Sequence, residues 1–244
     1  MIEIEGLTKR FGARVAVNSL SLSVRQGEIY GFLGANGAGK TTTIRMLLGI
    51  LAPDAGEVRV CGRPVRRGDR DGRMLVGAVG ETQHLYSDMT CGDYLMFFAA
   101  LYGLHDRAGR VAEVLADVGL LDRWSDRAQD LSKGLQQKLG LARALLHDPP
   151  VLLLDEPVSG LDPHGVREVR EIIVRERDRG RLVFISSHIL AEIALVADRV
   201  GIMQKGHLVY SDTVAGAIEK FETLEKAFVA VTRYEGSLLD LAAE

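Results

Sequence analysis

Eight consecutive residues, Gly34-Ala35-Asn36-Gly37-Ala38-Gly39-Lys40-Thr41, have the types and spacing that hold a polyphosphate. The glycines let the backbone turn until successive N–H groups converge on phosphate oxygens. A helix expected from about Gly39 aims its positive end at the same anion. Lys40 supplies a point charge to the terminal phosphates, and the Thr41 hydroxyl, followed by Thr42, suits a magnesium ion. A chance glycine-rich turn would lack the apolar run Glu28 to Leu33 that leads into this one.

A second run, Val151-Leu152-Leu153-Leu154-Asp155-Glu156-Pro157, reads as a buried parallel strand ending in two carboxylates. Such strands deliver their last residues to the sheet edge where ligands bind. Asp155 is placed to hold magnesium through its water shell, and Glu156 to polarise an attacking water as general base. Together the two runs imply ATP with magnesium as ligands, and hydrolysis as the reaction.

The elements that must position these groups follow from periodicity. Residues 1–33 read as strands: Ile2 and Ile4 alternate with Glu3 and Glu5, and Leu20, Leu22 and Val24 alternate with serines. A helix is expected over about 39–49, a strand pair near 57–60 and 76–79, and a charged loop between them. Residues 90–147 turn helical, with Val111, Val114, Leu115 and Val118 at i, i+3, i+4 and i+7. From Val151 strands and helices alternate again: 151–154, 163–177, 182–186, a helix to about 196, then 200–203. That rhythm predicts an α/β fold: a P-loop core with a mostly parallel sheet, an N-terminal antiparallel layer and an all-helical insert. The whole of 1–244 is read as one nucleotide-binding domain, with the helical subdomain at about 85–147 and a C-terminal extension at about 212–244.

Composition narrows the class. Hydrophobic residues make up 47% of 244, enough for a filled core and against disorder. A net charge of −3 gives no case for nucleic acid as a partner, and Arg63, Arg66, Arg67, Arg70 and Arg73 are expected to line a solvated loop. Cys61 and Cys91 lack metal-ligand spacing and suit buried or half-buried thiols of a reduced, cytosolic protein. The N-terminus has no signal-peptide pattern, and apolar stretches such as 95–104 fall short of the roughly 20 residues of a membrane span.

Further segments occur in a fixed order: Lys9-Arg10-Phe11-Gly12, Glu81, Leu131-Ser132-Lys133-Gly134, Ser159-Gly160-Leu161-Asp162 and Ser186-Ser187-His188. With the two runs above, the set resembles the ATP-binding cassette ATPases over roughly residues 1–212. The resemblance implies that Phe11 stacks on adenine, that Glu81 stands at the magnesium-sensing loop and that His188 is the switch histidine. It also implies that Ser132 and Gly134 meet the γ-phosphate of a second chain's ATP, so that two copies sandwich two nucleotides, with Asp162 at their interface. Ser132 and Gly134 suit an anion independently, because they open a helix; Asp162 is equally an N-cap for the helix from Pro163. Lys133 and Leu135 replace the family's usual Gly and Gln, and Glu81 replaces its Gln, with Gln83 a possible substitute.

ATP bridging two copies favours a closed dimer and hydrolysis an open one, a motion that must drive something. In the family it drives integral membrane permease subunits, which the helical insert contacts; residues 89–104, with Tyr94, Met96, Phe97, Phe98 and Tyr102, are the candidate docking surface. The segment Leu224-Glu225-Lys226-Ala227-Phe228 resembles the ending of single-cassette ATPases of bacterial exporters of drugs, polyketides, lipids or polysaccharides. The expectation is therefore an exporter ATPase, a homodimer held to the inner face of the cell membrane by its permease. A non-transport cassette ATPase of repair, translation or iron–sulfur assembly is the first alternative, opposed by the absence of a second cassette or a coiled-coil insert. An ATP-gated regulatory subunit with little turnover is the second, opposed by Lys40, Asp155, Glu156 and His188.

Overall fold

A computed structural model of the chain describes residues 1–83, 85–86 and 88–233. The end of the expected C-terminal extension, 234–244, lies outside the described residues.

The N-terminal alternation makes a hairpin, β1 (Ile2–Phe11) and β2 (Arg14–Val24), closed at Gly12 with φ 60°. After β3 (Ile29–Gly34) and α1 (Lys40–Leu47), β4 (Ala55–Val60) pairs antiparallel with β1, and the short β5 (Arg63–Pro64) with β4. The resulting sheet has the order β2-β1-β4-β5. Its inward residues Ile2, Ile4, Leu7, Val17, Leu20, Val58 and Val60 pack with Ile44 and Leu47 of α1. A four-residue helix, α2 (Arg70–Arg73), leads to β6 (Val76–Val79).

The helical insert comprises α3 (Cys91–Leu101), α4 (Arg107–Asp117) and α5 (Lys133–Leu145). Val111, Val114, Leu115 and Val118 are all buried, as their spacing predicts. Then come β7 (Val151–Asp155), α6 (Pro163–Asp178), β8 (Leu182–Ser187), α7 (Leu190–Ala194), β9 (Arg199–Gln204), β10 (His207–Thr213), α8 (Val214–Phe221) and α9 (Leu224–Arg233). The second sheet has the order β10-β9-β3-β8-β7-β6, parallel except for β10 at one edge. Every residue of β3, β7 and β8 is buried, the burial expected of central parallel strands covered on both faces.

Several details depart from the reading of the sequence. The strands at 57–60 and 76–79 do not pair with each other: β4 joins β1, while β6 joins β7 in the other sheet. Alternation marks a strand but says nothing about its partner. The intervening stretch is not simply a loop, since it holds β5 and α2. Cys61 is exposed, because it forms the β4–β5 turn with φ 50°. β10 follows a turn at Lys205-Gly206, both with positive φ, which is the hairpin signal for it. No described helix is long and apolar enough to cross a membrane.

Candidate functional site

Strand order creates the site. β8 lies between β3 and β7, so the ends of three neighbouring parallel strands release the 35–39 loop, Asp155-Glu156 and His188 side by side. The loop is cramped as well as turned. Gly39 has φ 112°, and a Cβ there would stand 2.5 Å from the Ala16 carbonyl, so glycine is required on both counts. Gly206 N–H donates to the Ala38 carbonyl at 3.0 Å and pins the loop from β10's turn.

Lys40 Nζ donates to the Gly34 carbonyl at 2.6 Å and lies 3.3 Å from Glu156 Oε1. Both side chains are more than nine-tenths buried. Glu156 Oε1 receives no aligned hydrogen bond, so its pairing with Lys40 is electrostatic. Its other oxygen, Oε2, is 2.8 Å from His188 Nδ1 and accepts the His188 N–H at 3.3 Å. Glu156 has φ 50°, a conformation that costs a residue with a Cβ free energy. Its N–H donates to Ser186, to the carbonyl at 3.1 Å and the hydroxyl at 3.2 Å, and these bonds fix it there. The same Ser186 hydroxyl donates to Asp155 Oδ1. One serine thus sets both carboxylates.

A cleft of about 310 Å³ opens above this cluster, lined by Asn36, Gly37, Gly39, Lys40, Thr41, Thr42, Glu81, Glu156, His188 and Phe11. Phe11 is 51% exposed at its mouth, so it is not a core residue. Gly34 and Ala38 are buried beneath the loop, and Asp155 beneath Glu156. Two liners were not singled out in the sequence, Arg14 and Ala16. Arg14 donates to the Gly37 carbonyl at 3.3 Å, across the hairpin turn from Phe11; the turn at Gly12 is the signal that brings the two together.

Ser132, Gly134 and Asp162 stand elsewhere. Ser132 caps α5, its hydroxyl accepting from Leu135 N–H at 3.4 Å, and Asp162 caps α6, accepting from Gly165 N–H at 2.7 Å. The two helix starts touch, Gly134 facing Gly165 and Lys133 lying over Gly160. Lys133 therefore runs along the Ser159–Asp162 loop of its own chain. Gln83 does not line the cleft; it turns to α5 instead.

On the insert side, an apolar groove of about 370 Å³ runs between α1, β5, α2 and α3, with Leu48, Val65, Phe98 and Tyr102 on its walls and Arg63, Arg66, Arg73 and Arg143 among its liners. Of the expected docking residues, Phe98 and Tyr102 reach this groove, whereas Tyr94 is fully buried and receives a hydrogen bond from Arg143 at 3.0 Å. The arginines expected in a solvated loop thus partly border a groove.

A phosphate loop, a carboxylate pair and an aromatic face around one cleft in a parallel sheet define a P-loop ATPase. Residues 17–159 match the model of the family described as ABC transporter. The bacitracin transport ATP-binding protein BcrA of Bacillus licheniformis is 42% identical over 209 residues, 85% of this chain and 68% of that protein. The Nod factor export ATP-binding protein I of Burkholderia orbicola is 39% identical over 220 residues, 89% of this chain and 72% of that protein. A solved ATP-binding subunit of an ABC transporter superposes with a TM-score of 0.85 at 28% identity, covering 95% of this chain and 99% of that one. The chain belongs to the ABC transporter family, as an ATP-binding ATPase subunit.

Proposed function

We propose that this chain hydrolyses ATP as half of a two-copy sandwich that drives a separate membrane permease in the direction of export. The observation that carries the sandwich is the separation of its parts: Lys40, Glu156 and His188 share one cleft, while the free N–H groups at Ser132 and Gly134 stand outside it. A second chain is needed to bring such a helix end to the terminal phosphate.

Within one cleft Phe11 stacks on the adenine, and the 35–39 loop N–H groups cradle the phosphates. Lys40 leaves the Gly34 carbonyl and Glu156 for the β- and γ-phosphates. That frees Glu156, which takes the proton of the water attacking the γ-phosphorus. His188, its Nδ1 against Glu156 Oε2, holds that carboxylate's orientation while the cleft is empty, and gives the same ring N–H to the γ-phosphate when nucleotide is bound. The leaving group is ADP, and the second product inorganic phosphate. The donors available for a metal are all oxygens, the Thr41 hydroxyl with the Glu81 and Asp155 carboxylates, a set that suits magnesium. Those residues would hold it, and it would supply neutralisation of phosphate charge.

The apolar groove with its arginine rim suits an amphipathic helix of a permease on the inner face of the membrane. Export is supported by what the relatives are named for, bacitracin transport and Nod factor export. The test is ATP hydrolysis by the chain reconstituted with its permease in vesicles. Substrate leaving the cytoplasmic side on ATP addition supports the reading; accumulation on that side overturns its direction, and turnover unaffected by Glu156→Gln overturns the mechanism.

A further inference from the structure

Residues 63–73 hold five arginines, Arg63, Arg66, Arg67, Arg70 and Arg73, against two acids, Asp69 and Asp71, a net of +3 on a chain whose total is −3. All five arginines are exposed, and α2, which carries two of them, buries no residue. Arg70 and Arg73 are three apart and share a face of that helix. The stretch is a basic island in water on a protein that is negative elsewhere.

Little of this charge is paired within the chain. Arg63 stands 3.9 Å from both Asp69 and Asp71, long contacts that solvent screens. Asp69 folds back over Gly72 of its own turn. Arg70 reaches the Leu101 carbonyl at 3.4 Å, which leaves its charge unopposed. Arg66, Arg67 and Arg73 have no acidic partner among the described residues.

Apolar side chains stand among these cations. Ile50 and Leu101 are 59% and 55% exposed, and of the described large hydrophobics only Leu195 is more so. Ile50 borders the apolar groove together with Arg63, Arg66 and Arg73, while Leu101 is held by Arg70. Arg67 and Arg70 lie off that groove, so a helix seated in it leaves them uncovered. Guanidinium groups bind phosphate oxygens in pairs, and aliphatic side chains between them suit the boundary between headgroups and acyl chains. A soluble polyanion would satisfy the arginines and leave Ile50 and Leu101 in water.

We propose that the 63–73 stretch, with Ile50 and Leu101, is a membrane-contact surface that takes the phosphate headgroups of anionic lipids. It rests on the permease reading above for its orientation, because a permease helix seated in the groove turns this rim toward the bilayer. The contact is weak alone. With the permease holding the patch in place, it meets lipid at a high effective concentration. The negative remainder of the chain is repelled by the same surface, so the patch also orients the subunit.

The test uses the chain alone, sedimented with vesicles of phosphatidylcholine or of equal parts phosphatidylcholine and phosphatidylglycerol. Binding is expected to the second kind only, and to weaken as salt is raised. Arg67→Gln combined with Arg70→Gln is expected to lower the partition coefficient at least about tenfold, the loss of two basic residues from an anionic surface. Its thermal midpoint and its ATP binding without vesicles are expected to stay at the parent's values. Ile50→Ser combined with Leu101→Ser is expected to lower partitioning severalfold and to leave its salt dependence unchanged. Equal sedimentation with both kinds of vesicle overturns the proposal, as does parent-level binding by the arginine variant. Parent-level vesicle binding by the Ile50→Ser, Leu101→Ser variant, with equal affinity for single-stranded RNA, assigns the arginines to a soluble polyanion and overturns it too. No permease is present in this assay, so a failure of the transport reading shows in the reconstituted system and not here.

Discussion

Lys40 Nζ stands 3.3 Å from Glu156 Oε1, each side chain out of water and the Lys40 ammonium also bonded to the Gly34 carbonyl. Burying two charges costs solvation that their attraction only partly restores, so the pair is held by its surroundings and is ready to exchange partners. On the proposed mechanism, ATP offers Lys40 a better acceptor and releases the carboxylate for chemistry.

Replacement of Glu156 by glutamine keeps the shape and removes both the competing charge and the base. Hydrolysis is expected to fall about 10²- to 10⁴-fold, the range for loss of a positioned base. ATP binding is expected to hold or tighten, because Lys40 no longer gives up a carboxylate partner. Steady-state turnover and equilibrium ATP binding check the two halves separately. A variant that binds ATP much more weakly would show instead that Glu156 organises the cleft.

Phe11 is half exposed at the cleft mouth, with Lys9 Nζ 5.8 Å from its ring centre. An aromatic ring left in water at that place is free to take the base that the proposed function stacks on it. Stacking of a base on an aromatic is worth about 1–3 kcal/mol, so Phe11→Ala is expected to raise the KM for ATP roughly tenfold with kcat little changed. Phe11→Trp is expected to preserve KM. Equal losses in both variants would count against stacking.

Much of this site could be read from order along the chain, because its parts are local. The 34–41 loop needs its glycines wherever it lies, and the strand 151–155 announces its own burial. What periodicity cannot convey is adjacency. The contact of Glu156 with His188 depends on β7 and β8 being neighbours, and that of Glu156 with Lys40 on β8 separating β7 from β3 by one strand. The same limit paired 57–60 with 76–79 wrongly. Side-chain direction is also beyond reach of the sequence: Glu81 and Gln83 were alternatives for one role, yet one enters the cleft and the other leaves it, and Lys133 lies along Gly160.

Arg14 joins the site only through the hairpin. Its guanidinium reaches the Gly37 carbonyl at 3.3 Å and lines the cleft beside Phe11, placing a second cation in the cleft besides Lys40. Arg14→Ala is expected to weaken ATP binding severalfold, and the loss to shrink as salt is raised, because the contact is exposed and screened. Calorimetric titration at two ionic strengths checks it. A loss independent of salt would assign Arg14 a packing role under the phosphate loop.

His147 gives the fold an acid sensitivity of its own. Its Nε2 lies 3.2 Å from the Val76 carbonyl, which only accepts, so Nε2 carries the proton. Nδ1 is buried with no partner, and the Tyr102 ring packs on the imidazole with ring centres 4.3 Å apart. Burial lowers the pKa of His147; Arg181 and Arg110 push the same way, while the Val76 bond and Asp148 oppose. The folded state therefore resists a proton that the unfolded chain accepts near pH 6.5. Below that pH the unfolded state binds more protons, and stability drops as pH falls toward the lowered folded value. Asp117 and Asp148, held low mainly by hydrogen bonds from Arg179 and Arg181, have the same sign in a lower window: their contribution is present above the unfolded carboxylate pKa near 4 and is lost as pH falls through the folded one. The acid limb is thus expected in two stages. His147→Gln keeps a donor for the Val76 carbonyl and cannot titrate, so urea midpoints between pH 7 and pH 5 are expected to flatten in this variant while the lower stage stays. A variant whose midpoints fall as steeply as the parent's over that range would place the upper stage on another histidine.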